Sequence, residues 1–461
     1  MIKKIAYAGI LMLAGLTLAF QDTSIASGGS HHQDDVCPSL VAGITWRNPF
    51  SSVEDVKAYV ESHPNISGIA LVHHETFPDP FPLTFLNDHP NVKKLILRGQ
   101  VKHPATFNLA GLQHITSFSH AELLYGETLS FDYMPGLAEL CICIHDLQNL
   151  GQMPELRTLT LKARYDPLHR TYGLQGIERF NLLTLNIHVT QIGDTTPCGL
   201  LSNLERLKMD TCGWEEHQFA FIEQLNNLKS LKVNDGNEMN LAVLKDLPKL
   251  EDFEISCYES ASKPGYLDPL ATLPRLRRLS VASNGYLSDI SALCQCTSLV
   301  DLDFCQSKVT SIEPLRALPL RRLIMSGSQV TDLWPLHNVT TLEVLDITFG
   351  PPRLLEEWRG LSYHPALRRI KAGVCDFCLL PYISATDILI DAWLSTENIP
   401  KHVPDTNPFH VLGTIPNLEL VCGWPFDKTQ RMFDEFAKDR PDVLIVDHDD
   451  WETRVITKTG E

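Results

Sequence analysis

Four stretches decide the architecture: Leu276-Arg277-Arg278-Leu279-Ser280-Val281, Leu299-Val300-Asp301-Leu302-Asp303-Phe304, Leu320-Arg321-Arg322-Leu323-Ile324-Met325 and Leu342-Glu343-Val344-Leu345-Asp346-Ile347. Each places an apolar residue at the first, fourth and sixth positions, an L-x-x-L-x-L pattern. Fixed self-similarity at 20–30 residues marks units that stack, so it outranks every other reading of a chain this long. The pattern extends back through Leu250, Leu228 and Leu204 and forward to Leu367, in steps of 24, 22, 26, 23, 21, 22 and 25 residues. Further copies begin at Ile66, Val92, Leu137, Leu156 and Leu182.

A second mark travels with the first. Proline stands two residues before the opening apolar position at Pro64, Pro90, Pro135, Pro154, Pro248, Pro274 and Pro365. Pro416 and Pro441 stand in the same relation to Leu418 and Val443, which extends the repeat as two degenerate coils. Proline lacks an N–H and disfavours helix in the residue before it, so it ends each return segment and delivers the chain extended into the next strand.

A return signature of the form D-I-x-x-L follows the strands, as in Asp289-Ile290-Ser291-Ala292-Leu293 and Asp332-Leu333-Trp334-Pro335-Leu336, with Ile312-Glu313-Pro314-Leu315 as a variant. With these motifs the sequence resembles the leucine-rich repeat family, nearest to the short-coil type of bacterial internalins. The resemblance covers about Ile66 to Ala372 well and the remainder loosely. It departs from the family at the ladder position three residues after the third apolar residue. Asn284 holds the family's Asn and Cys212 and Cys375 its tolerated substitute, whereas His145, Arg164, Gly236, Ser328 and Gly350 do not. Those coils must satisfy their turn backbone in another way, for instance through water.

The expected fold is α/β: a curved leucine-rich-repeat solenoid with a parallel sheet on its concave side and helical caps at both ends. Each coil's apolar set is buried only by its neighbours, so the terminal coils need covering. Ser51-Ser52-Val53-Glu54 offers a capping box ahead of Val53, Val56, Tyr59 and Val60 at helical spacing. At the other end Asp427–Gln430 repeats the cap chemistry before Met432, Phe433 and Phe436, and Val443–Val446 reads as a last strand. The expected divisions are a signal peptide (1–26), a lead-in (27–43), an N-terminal cap (44–65), the solenoid (66–425), a C-terminal cap helix and strand (426–451) and a polar tail (452–461).

The signal peptide is read from Met1–Lys4 followed by the apolar run Ile5–Phe20, with Ser24-Ile25-Ala26 at the cleavage positions. Sixteen apolar residues are short for a bilayer span, and no other stretch approaches that length. The expectation is an exported protein, periplasmic or secreted, without a membrane span after signal removal. With 44% hydrophobic residues the chain is not a disordered one. Its 39 Lys+Arg against 56 Asp+Glu, a net −17, argue against a nucleic-acid partner.

Twelve cysteines in an exported chain invite a disulfide framework. Equivalent positions in adjacent coils lie about 5 Å apart, within bridging distance. Cys141, Cys143, Cys212, Cys257 and Cys305 have no cysteine at the matching position beside them. Cys198 and Cys296 occupy return-side apolar positions, where a thiol serves as a small hydrophobe. Cys375 and Cys378 form the most plausible local bridge; a zinc site would need a second pair nearby, and none is visible.

No G-x-x-x-x-G-K-[ST], H-E-x-x-H or G-x-S-x-G occurs, and neither a catalytic residue, a metal nor a cofactor is expected. A partner would meet the side chains that flank the second and third apolar residues, on the sheet's solvent face. Between Leu204 and Gly373 these are the bases Arg206, Lys208, Lys232, Arg278, Arg322, Arg369 and Lys371 and the acids Asp210, Asp252, Glu254, Asp301, Asp303 and Asp346. Upstream the same face carries Thr160, Lys162, Asn186, His188 and the pair Cys141 and Cys143, an odd choice for a wet surface that points to partner contact or to coverage by the preceding irregular loop. The charges read either as self-neutralising ladders between strands or as a docking pattern for a protein of complementary charge. The leading expectation is a non-catalytic module that binds a protein partner through its concave face. The alternatives are an enzyme with its site in insertions such as Glu259–Leu267 or Phe349–Tyr363, and a structural envelope protein without a specific ligand.

Overall fold

The computed structural model describes residues 52–72, 81–98, 107–108, 111–120, 134–142, 147, 150–162, 173–189, 192–210, 214–236, 239–245, 247–256, 265–282, 285–351, 357–361, 364–373, 387–391, 420–423 and 436–447. The expected signal peptide, lead-in, polar tail and the Cys375/Cys378 bridge lie outside the described residues.

Each apolar triplet builds one short strand. In chain order these are β1 (Gly68–Val72), β2 (Lys94–Arg98), β3 (Ser117–His120), β4 (Glu139–Ile142), β5 (Thr158–Lys162), β6 (Thr184–His188) and β7 (Arg206–Asp210). They continue as β8 (Ser230–Asn234), β9 (Asp252–Ile255), β10 (Arg278–Ser280), β11 (Asp301–Asp303), β12 (Arg322–Ile324) and β13 (Val344–Asp346). The last are β14 (Arg369–Gly373), β15 (Asp387–Asp391), β16 (Leu420–Gly423) and β17 (Leu444–Asp447). All 17 pair in parallel and in chain order, with β1 and β17 as the two edges. The chain is a leucine-rich-repeat solenoid, curved, with the sheet on its concave side.

One register runs through the sheet. The second apolar residue of each coil faces its counterpart, from Ile69↔Leu95 and Phe118↔Leu140 to Leu302↔Leu323, Leu345↔Ile370 and Ile388↔Val421. Leu95, Leu140, Leu231, Leu302, Leu323 and Leu345 are all at most 1% exposed and belong to one continuous core. Each such side chain contributes about 2 kcal/mol by leaving water.

Three details differ from the sequence expectation. β3 has no counterpart among the copies found by pattern, because His120 stands where the third apolar residue belongs, although Ile115 and Phe118 are fully buried. The last strand is displaced by one residue: Ile445, not Val446, stands opposite Val421. Proline acts within a tight turn rather than as the start of an extended segment. The N–H two residues after it bonds back across the turn, Ile66 to His63 O at 3.1 Å, Val92 to His89 O at 3.0 Å and Leu137 to Met134 O at 3.0 Å. That places proline at the second turn position, where its fixed φ suits the bend.

The return wall is made of 3-10 segments, including Thr196–Leu200, Asp268–Thr272, Ser291–Gln295 and Trp334–Asn338. Coils this short leave only three to five residues for the outer wall in most turns, too few for an α-helix to repay its nucleus. The acid of the return signature opens these turns: Asp289 Oδ1 accepts from Ser291 N, and Asp332 Oδ1 from Trp334 N, both at 2.8 Å. At Gly360 the return segments approach so closely that a Cβ would sit 2.0 Å from Leu333 O, so only glycine fits.

The missing asparagine ladder is replaced by backbone rungs that continue past the strands. Phe304 N donates to Ile324 O at 3.0 Å, Met325 N to Asp346 O at 2.9 Å, and Gly327 N to Thr348 O at 2.7 Å. Asp235, Gln306, Gly327 and Phe349, each two residues after a third apolar position, adopt left-handed φ of 53–69° to make this turn. At these coils protein carbonyls accept the donors, while His145 and Arg164 lie outside the described residues.

At the N-terminal end, α1 (Val53–Ser62) buries Val53, Val56, Tyr59 and Val60 against the first coil. Its cap is Ser52, whose Oγ accepts from Asp55 N at 3.1 Å, one residue later than the expected Ser51 and Glu54. At the other end residues 436–439 are helical, Phe436 is buried, and Arg440 N closes the turn on Phe436 O at 2.9 Å. The expected cap at Asp427–Gln430, Met432 and Phe433 lies outside the described residues.

Candidate functional site

The sheet register sorts the solvent-face side chains into rows. One row reads Arg206↔Ser230↔Asp252↔Arg278↔Asp301↔Arg322↔Val344↔Arg369 from β7 to β14. The middle row reads Lys208↔Lys232↔Glu254↔Ser280↔Asp303↔Ile324↔Asp346↔Lys371. Twelve of the thirteen charged positions expected on the solvent face fall in these two rows, a consequence of the two-residue side-chain period of a strand, and Asp210 stands in the next row, opposite Asn234.

Several of these charges answer one another across strands. Lys232 Nζ meets Glu254 Oε2 at 2.7 Å, and Arg322 Nη1 meets Asp301 Oδ1 at 3.4 Å. Ser230 Oγ donates to Asp252 at 3.2 Å and Arg206 Nε to Thr184 Oγ1 at 3.1 Å. Exposed pairs of this kind contribute little to stability, about 0–1 kcal/mol each. Arg278, in register between Asp252 and Asp301, forms no hydrogen bond or ion pair among the described residues.

Two carboxylates stand apart. Burial raises the Asp303 carboxyl above the usual range, opposed by the Cys305 N–H at 3.0 Å and by Arg322, and reinforced by Asp346. Asp210 goes the other way. Burial works against its charge, yet the His188 ring and the Asn234 amide at 2.5 Å hold it below the ordinary value, with Lys208 adding to the effect. His188, Asp210 and Asn234 thereby form a polar bridge over β6, β7 and β8. The sequence reading named the acid and the histidine but not their contact, since strand pairing alone brings residues 22 positions apart together.

On β1–β5 the middle row is Ala70↔Ile96↔Ser119↔Cys141↔Thr160. It is not a wet surface. Ile96, Ser119 and Cys141 are each 1% exposed and Thr160 2%. Cys141 is therefore covered within the chain, which favours coverage over partner contact as the reason for its place. Asn186 on β6 marks the border, its Nδ2 donating to Thr160 Oγ1 at 2.9 Å.

Among the described cysteines Cys198, Cys294 and Cys296 are free thiols. Burial pushes Cys198 up strongly and Cys296 to about 11, so neither is a thiolate at neutral pH. No cluster of three or more His, Cys, Asp or Glu side chains suited to a metal occurs among the described residues. No helix among them is long and apolar enough to cross a membrane. Most of the insertion Glu259–Leu267 and part of Phe349–Tyr363 lie outside the described residues.

No family model and no curated protein sequence matches the chain. Solved structures do resemble it. An internalin from Listeria monocytogenes aligns with 79% of this chain and 88% of its own, at 16% identity and a TM-score of 0.41. Internalin C2 from the same organism aligns with 44% of this chain and 74% of its own, at 22% identity and a TM-score of 0.28. A leucine-rich-repeat protein of Leptospira interrogans aligns with 87% of this chain and all of its own, at 15% identity and a TM-score of 0.43.

Proposed function

We propose that the chain is an exported, non-catalytic binding module that presents the sheet face from β6 to β14 to a protein partner. The observation that carries this reading is the change of the middle row at β6. From there to β14 the row bears Lys208, Lys232, Glu254, Asp303, Asp346 and Lys371, all partly open to solvent. A folded sheet gains nothing from so many half-desolvated charges, whose mutual pairs are nearly neutral in energy. Their use lies in steering and in selecting a partner. A periplasmic or extracellular location accords with the signal peptide read from residues 1–26.

The test is Arg278→Glu combined with Arg322→Glu. Both side chains are exposed, so the variant folds, and capture of a protein from secreted extract falls by tenfold or more relative to the unaltered chain. Unchanged capture rejects the sheet face as the binding surface. Turnover of a substrate by purified protein, surviving these changes, would favour an enzyme instead.

A further inference from the structure

The open face carries an excess of one sign in two separate places. On β7, Arg206 is bonded only to a neutral hydroxyl and Lys208 has neither a hydrogen bond nor an ion pair among the described residues, while Asp210, the acid beside Lys208, is bonded by His188 and Asn234. Lys232 beside them is taken by Glu254. On β11 and β13, Asp303 and Asp346 each accept a backbone N–H, from Cys305 at 3.0 Å and Thr348 at 3.1 Å. Neither enters an ion pair among the described residues: Arg322 is engaged by Asp301, and Lys371, in register with Asp346, has a partner of its own. Between the two places Asp252 and Arg278 stand in register, which leaves that stretch balanced. Arg369 and Lys371 on β14 have partners of their own and add no free charge.

Resting on the proposed binding face, we infer that the partner is a protein segment of two signs, with carboxylates over Arg206 and Lys208 and a basic side chain over Asp303 and Asp346, so that it lies across the strands in one direction only. At about 4.8 Å per strand the two groups are about 19–29 Å apart. Ile324, in register between Asp303 and Asp346 and only partly covered, gives an apolar floor for the methylene stem of an arginine or lysine. A partner of one sign meets like charge at one of the two places, which selects against polyanions and polycations alike. Nucleic acid is disfavoured for the same reason.

The probe is a labelled peptide with two glutamates and two arginines separated by six Gly/Ser residues, which reaches about 20 Å when extended. A photoreactive group sits beside the glutamates. Controls are the same composition with alternating signs and peptides carrying only glutamate or only arginine. The two-signed peptide is expected to bind the full-length protein at least fivefold tighter than every control and to cross-link within β6–β8. Exchanging the charges, with Arg206→Glu and Lys208→Glu together with Asp303→Lys and Asp346→Lys, moves the cross-link to β11–β13. Asp303→Asn with Asp346→Asn, which keeps shape and the turn acceptors, removes the fivefold preference. Equal affinities, absence of binding, or a cross-link that does not move overturns the inference. Single-signed peptides cross-linking to the sheet face would defeat the polarity and leave the binding face standing. Cross-links confined to the outer wall would defeat the binding face as well.

Discussion

The first five strands and the nine that follow share a spine and differ in the row above it. In β1–β5 the middle solvent-side row is Ala, Ile, Ser, Cys and Thr, sealed from water; from β6 to β14 it is mostly charged and partly open. The leucine register beneath crosses the border without a break. A repeat unit therefore fixes the fold with one set of positions and leaves the other set to specify what the surface does. In the first region that set is spent on packing, in the second on charge.

The sharpest way to break this comparison uses two isoleucines in the same row. Ile96→Lys buries an unpaired ammonium and lowers the unfolding free energy by about 4 kcal/mol. Ile324→Lys, between Asp303 and Asp346, changes it by less than about 1 kcal/mol in either direction. Urea titrations of the two proteins read the difference, and equal losses would erase the border. The shared spine supplies the next test. Leu95→Ala and Leu345→Ala each cost about 3 kcal/mol, one in each region, because both positions are fully buried. A cost confined to one region would mean that the spine is not continuous. Phe349→Gly should raise stability by about 1 kcal/mol, since φ of 53° strains a side chain with a Cβ and the phenyl ring is half exposed. Loss of stability there would show that the ring is held by packing.

The smallest effects concern two acids of the open face, and they carry opposite signs. The folded-state value of Asp303 is raised, so its charge is a cost fully present above that value and absent below the unfolded carboxylate range. Asp303→Asn is therefore more stable than the unaltered chain at neutral pH, and the gain disappears as pH falls below about 4. Asp210 is depressed, so its contribution is present above the unfolded value and is lost as pH falls through the folded one. Asp210→Asn is less stable at neutral pH, by about 1 kcal/mol or less given its exposure, and converges with the unaltered chain in strong acid. Thermal midpoints from pH 2 to 8 separate the two behaviours.

What the amino-acid order revealed follows from what is periodic. Leucine and proline recur in fixed relation, so the coil, its length and the rows on the sheet's solvent face are legible in the sequence. β3 escaped because His120 interrupts the triplet, although Ile115 and Phe118 alone suffice to seat the strand in the core. The N-cap fell one residue late because Ser51 and Ser52 are chemically alike, and only backbone geometry chooses between them. For Cys141 the sequence leaves partner contact and coverage within the chain both open, because strand alternation tells which side of the sheet a residue takes and is silent on whether that side is covered. The ion pairs of the candidate face were foreseeable as neighbours. Which charges remained unmatched depended on distances of a few ångströms, which no spacing rule contains.

The unbroken register has a consequence for how such a chain can change length. Removing a whole turn, for instance the 21 residues from Asp301 to Arg321, brings Arg322 into register with Arg278 and restores every leucine-to-leucine pairing across the scar. Removing 20 residues instead turns each strand beyond the cut over, sending its leucines to the solvent and its charges to the interior. The ruler of this molecule is the turn, and insertions or losses that respect it are the ones through which its reach can grow or shrink.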